Sequence, residues 1–132
     1  MDRGDAPEEV ARGQRRGWGQ QALFLRPGIL LLLRQDPAHG YTLIEDLRRE
    51  GIIDKELDPA VVYRHLREME DEGLLYSEWQ TEGSGVPRRV YRLAPAGEEF
   101  VRGCIANLQR TRRRLLRVLH LYRQQFPREG HK

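Results

Sequence analysis

DPAVVYRHLREMEDEGL, residues 58–74, decides how this chain folds, because it reads as one short helix with two different faces. Asp58 can cap the helix through its carboxylate, and Pro59 falls at the first helical position, where a missing N–H costs nothing. Val62, Leu66, Met69 and Gly73 recur at spacings of four, three and four, the stripe of a buried face, and Gly73 fits a helix stop. Ala60, Tyr63, Arg64 and Arg67 fall on the opposite face. A small residue, a tyrosine and two arginines near a helix N-terminus suit a DNA major groove, where side chains reach phosphates and base edges.

The neighbouring segments extend this reading in both directions. The apolar run Ile29–Leu33 within Leu23–Leu33 predicts a buried helix with Pro27 in its first turn, ended by Asp36-Pro37. A turn at His39-Gly40 leads to a second helix, Tyr41–Glu50, with Leu43, Ile44 and Leu47 on one side. After Gly73, strand-like runs at Leu74–Trp79 and Arg89–Leu93 flank the loop TEGSGVPR and predict a β-hairpin. The expected fold is mainly α with this small hairpin: a winged helix-turn-helix domain in which the third helix reads DNA and the hairpin is the wing. Arg88 and Arg89 lie at the wing's returning edge.

From Ala94 to about Phe126 the chain reads as one long helix, stopped by Pro127. Phe100, Cys104, Leu108, Thr111, Leu115, Leu119, Tyr122 and Phe126 make a continuous stripe that needs another surface to cover it. Pairing in a homodimer is the simplest solution, with folding back onto the same domain as the alternative. The expected organisation is a mobile segment at 1–21, a winged-helix domain at 22–94, a dimerisation helix at 95–127 and a tail at 128–132. Trp18 is the one large apolar ring of the first segment, expected to dock on structure.

The 132 residues carry a net charge of +3, unevenly placed. Residues 22–99 hold 10 basic and 15 acidic side chains, a net −5, whereas residues 100–132 hold 9 basic and 1 acidic, a net +8. An acidic reading domain is unfavourable for a duplex, since affinity rests on cations set against phosphates. The acids cluster, however: Glu68, Glu70, Asp71 and Glu72 sit in the last turns of the 58–74 helix, a solvated face, where Arg64–Glu68 and Arg67–Asp71 pairs are available. The basic run Gln109–Arg117 is expected to be exposed and to balance the acidic domain across the dimer.

Other functions find little support. The single cysteine and four histidines lack metal-site spacing, so no metal or cofactor is expected, and Cys104 reads as a buried structural thiol. No nucleophile motif, phosphate loop or paired carboxylate stands out, which excludes an enzyme reading. No apolar run approaches a membrane span and the start lacks a signal-peptide pattern, so a cytoplasmic protein is expected. His65 and His39 read as structural residues, one beside the outward face and one at the turn.

Three segments in this order resemble the PadR family of transcriptional regulators: ILLLLRQDPAHGYTLIEDL, DPAVVYRHLREMEDEGLL and GSGVPRRVYRLAPAG, within Leu23–Phe126. The resemblance implies a dimeric winged-helix repressor on a pseudo-palindromic operator, with the C-terminal helix exchanged or paired, and in many members release by a small molecule. By the same resemblance Tyr63 matches the recognition-helix tyrosine, Arg88 and Arg89 the basic wing, and Tyr41 a tyrosine at the start of the second helix, equally suited to core packing and to phosphate contact. Ala60 and Val61 stand where the family commonly has glycine and threonine, and Arg64 where it often has proline, changes that bear on operator preference. An effector pocket would draw on Trp18, Phe100, Tyr122 or Phe126. The competing reading, supported by the −5 domain, is a winged-helix module that binds protein and no operator.

Overall fold

In a computed structural model that describes residues 19–81 and 85–128, four helices and three short strands follow in the order α1 (Gly19–Gln35), β1 (Ala38–His39), α2 (Gly40–Arg49), α3 (Pro59–Asp71), β2 (Leu75–Gln80), β3 (Arg88–Leu93) and α4 (Pro95–Gln125). Expectations for residues 1–18, Trp18 included, and for 129–132 lie outside the described residues.

α1 starts earlier than the sequence suggests, at Gly19, inside the stretch expected to be mobile, which puts Pro27 within the helix rather than in its first turn. Proline removes one backbone donor there. The helix continues because Leu25, Ile29, Leu30 and Leu33 on either side of it are at most 3% exposed, and tertiary burial rather than local propensity holds most helices.

The third helix forms as its sequence dictates. Asp58 Oδ1 accepts the Ala60 N–H at 3.0 Å, and Pro59 is the first helical residue. At the other end Gly73 adopts φ 80°, Leu74 N–H donates to Met69 O at 2.9 Å and Gly73 N–H to Glu70 O at 3.0 Å, the paired bonds of a Schellman stop. Val62, Leu66 and Met69 are fully buried, whereas Gly73 is exposed. They meet Leu43, Ile44 and Leu47 of α2, the α1 leucines, Leu75 of β2 and Tyr91 of β3 in one core.

A third strand is an addition to the expected hairpin. β1 lies where the sequence suggests only a turn, and pairs antiparallel with β3 through Ala38↔Tyr91 and His39↔Val90, giving the sheet order β1-β3-β2. Two residues carry no alternating pattern, so only the β3 edge makes them a strand. β2 and β3 pair from Leu75↔Leu93 to Gln80↔Arg88. At the start of α4, Gly97 packs against the Leu74 carbonyl so closely that a Cβ could not fit without displacement, and Ala94 N–H donates to the same oxygen at 3.1 Å.

The described residues through Val101 form one compact unit and residues 102–128 belong to a second. In the second, Leu115, Leu119, Tyr122 and Phe126 are all at least 40% exposed, Leu108 and Thr111 are half-buried, and Cys104 is half-buried rather than the buried thiol expected. Tyr122 and Phe126 stack with ring centroids 4.8 Å apart. Leu116, Val118 and Leu121 are also exposed, so apolar side chains extend well beyond the single expected stripe.

Candidate nucleic-acid interface

The outward face of α3 carries Ala60, Tyr63, Arg64 and Arg67, all exposed, because the buried stripe turns the other side of the helix into the core. His65 belongs with the buried side, at 1% exposure, and not beside the outward face. Spacing alone misassigned it, since position 65 lies near the edge of the stripe and an imidazole enters a core when a partner satisfies it. That partner is Arg26 of α1, whose Nε donates to His65 Nδ1 at 3.2 Å. Burial, and after it the Arg26 charge, hold the His65 pKa below its ordinary 6.5.

A cleft of about 340 Å³ opens beside the first turns of α3, lined by His39, Gly40, Tyr41, Tyr63, Trp79, Arg88, Arg89 and Tyr91. Four residues singled out from the sequence on three different elements, Tyr41, Tyr63, Arg88 and Arg89, therefore share one site. Gly40 makes this possible: a Cβ there would stand 2.5 Å from Tyr63 Cε1, so only glycine lets the tyrosine ring lie over the start of α2. Tyr41 is 67% exposed, which removes core packing as its role. Its hydroxyl is raised in pKa by a hydrogen bond to Glu45 and by that carboxylate's charge.

The two wing arginines differ. Arg88 is exposed, while Arg89 is half-buried, its guanidinium 4.8 Å from the centroid of the Trp79 ring and its Nη1 4.0 Å from Glu70. Trp79 sits opposite Arg89 in the hairpin register and is 60% exposed. Sequence reasoning passed over this tryptophan, although its place across the strand pair from a wing arginine was a usable signal.

The acidic end of α3 is not the simple solvated face expected. Glu68 and Glu72 each accept a hydrogen bond from Arg26 at 2.9 Å, and Glu70 accepts one from the Ser77 hydroxyl at 2.7 Å. Glu68 thus turns to α1 instead of being held by an intrahelical partner alone. Of the residues named for an effector, Phe100 belongs to the compact unit that ends at Val101, while Tyr122 and Phe126 belong to the following helical unit, all three exposed. Among the described residues, no group of three or more histidine, cysteine, aspartate or glutamate side chains is placed to hold a metal, and no helix is long and apolar enough to cross a membrane.

Residues 29–103 match the transcriptional regulator PadR-like family, more than half of the chain and every element that builds the cleft. The chain belongs to the PadR-like family. PadR-like proteins are transcriptional regulators rather than enzymes. A crystal structure described as a potential transcriptional factor is similar at TM-score 0.70 and 33% identity, over 84% of this chain and 97% of that one. Bacillus subtilis PadR in complex with operator DNA shares the fold at TM-score 0.54 and 22% identity, over 61% of this chain and 46% of that one. The transcriptional activator GvpE of Haloferax mediterranei is 38% identical over 72 residues, a match that spans 54% of this chain and about a third (34%) of that protein.

Proposed function

We propose that this PadR-like regulator is a cytoplasmic homodimer that binds a pseudo-palindromic operator and represses by occupying it, two copies of α3 entering successive major grooves. The observation that carries the reading is the convergence of Tyr41, Tyr63, Arg88 and Arg89 on one cleft beside the exposed Ala60, Arg64 and Arg67 face. Helix residues at the groove and cations at the flanking backbone are what duplex recognition requires. The exposed apolar stripe Leu115, Leu119, Tyr122 and Phe126, with Cys104 and Leu108 half-buried above it, supports a dimer in which a second copy covers it. A small-molecule effector that releases the operator belongs to the same reading. The activator name of the Haloferax relative bears on the sign of regulation, and a promoter fusion decides between the two: deletion of the gene should raise transcription from the bound promoter.

The test begins with duplexes selected by the purified full chain from a random pool, followed by fluorescence anisotropy. Replacing Arg88 and Arg89 together by alanine should weaken binding to all sequences and lower the salt slope by about 1 to 2. Arg64→Ala should relax sequence preference by about 1–3 kcal/mol at one base pair. The acidic residues 22–99, net −5, favour a second reading, a protein-binding module. Absence of any duplex binding at low salt would select that reading.

A further inference from the structure

The outward face of the first half of α3 carries the residues proposed to read DNA, and its last turns and C-cap carry Glu68, Glu70, Asp71 and Glu72. Carboxylates on a reading helix repel phosphate, and a helix can expose or hide them by rotation about its axis, by about 100° per residue of slip. One side chain spans two turns of this helix. Arg26, with only 19% of its side chain exposed, reaches from α1 and donates through Nε to His65 Nδ1 at 3.2 Å, through Nη2 to Glu68 Oε1 at 2.9 Å and through Nη1 to Glu72 Oε1 at 2.9 Å. Positions 65, 68 and 72 are three and four apart and lie on one side of the helix over two turns.

The planar guanidinium holds its N–H groups in a fixed fork, so three simultaneous acceptors define an orientation that a flexible single-point cation could not. Because Nδ1 of His65 accepts, the imidazole is neutral in this arrangement, with its proton on Nε2. Rotating α3 by one residue would break all three contacts together.

We infer that Arg26 is the positioning residue of the reading helix: its fork fixes the rotation of α3 and holds Glu68 and Glu72 toward α1, so that Tyr63, Arg64 and Arg67 face the groove. The inference rests on the proposed DNA reading by α3, and it places a determinant of specificity on a side chain in the first helix that touches no base.

The full chain, a duplex it selects from a random pool and a scrambled duplex of the same length test it. Arg26→Lys keeps the charge and loses the fork. Its discrimination between the two duplexes should fall about tenfold, the size of one lost charge-assisted contact, while its affinity for the scrambled duplex and its salt slope stay close to wild type. The double variant Glu68→Gln with Glu72→Gln keeps Arg26 and removes its charged acceptors; it should lose discrimination in the same way, and it serves if the Arg26 variant fails to fold. Variants that are folded by circular dichroism and discriminate like wild type would overturn the inference, as would an equal loss on both duplexes. If wild type selects no duplex, the proposed function falls but the positioning role is still read from hydrogen exchange. Faster exchange across residues 62–69 in Arg26→Lys, with far-ultraviolet signal unchanged, supports it, and unchanged protection refutes it.

Discussion

The two compact units treat apolar side chains in opposite ways. In the first, Leu25, Ile29, Leu47, Leu66 and Met69 are sealed at 0% exposure, whereas in the second Leu115 is 56% exposed and Val118 63%. Both are rich in leucine and both are helical, so composition and propensity do not separate them. Chain connectivity does: α1, α2, α3 and the sheet are joined so that they enclose one core, while a single helix has no second face of its own to bury against. The first unit encloses its own core, and the second leaves its apolar side chains exposed.

The sharpest way to break this contrast is to open the sealed core. Leu66 is fully buried between α3 and its neighbours, and Leu66→Ala should cost about 2–5 kcal/mol, read as a lower denaturation midpoint. Leu115→Glu combined with Leu119→Glu should act differently, raising the dissociation constant of the proposed dimer by about 100-fold or more in sedimentation equilibrium while the winged-helix core remains folded. Loss of the core signal together with the dimer would show that the first unit does not stand by itself.

Smaller effects sharpen the comparison within the first unit. Asp58→Ala removes the 3.0 Å cap on the Ala60 N–H and should cost about 1 kcal/mol in chemical denaturation, with hydrogen exchange quickening at the start of α3. His65 supplies the smallest and most diagnostic change. Its folded pKa lies below the ordinary 6.5, so the neutral form is favoured in the fold and its contribution is fully present above that pH. As pH falls below 6.5 toward the folded value, the unfolded chain takes up the proton first, and the melting temperature should decline. His65→Asn offers an acceptor to Arg26 without titrating, and a melting profile as pH-dependent as wild type would assign the decline to other groups.

Local chemistry was legible where a residue and its partner stand within one turn. Asp58, Pro59 and Gly73 bound α3 as read, and the stripe Val62, Leu66 and Met69 faces the core. The hairpin followed from its own runs, to within one residue at each strand. The failures share a cause. Pro27 marked a helix start by local rule, yet flanking leucines buried in the core carry α1 through it. The β1 strand exists only because β3 offers it an edge, and His65 became a core residue only because α1 brings a guanidinium to it.

The candidate site divides along the same line. Tyr63, Arg64 and Arg67 were placed on one face by helical periodicity alone. That Tyr41 and Arg88 belong with Tyr63 was suggested by family resemblance and given geometry only by the fold, through the bare Gly40 backbone beneath the tyrosine ring. Arg89 lies over Trp79 in the hairpin register, a contact that the sequence allows but does not select.

By itself the sequence determined the ends of α3, the stripe that α3 buries and the presence of a long apolar surface after the domain, because these depend on residues at most a few positions apart. Only the tertiary structure decided which acids are paired and which cations are held. Arg26 meets His65, Glu68 and Glu72 across 39, 42 and 46 residues of chain, a convergence that no spacing rule contains and that exists only once α1 has packed against α3.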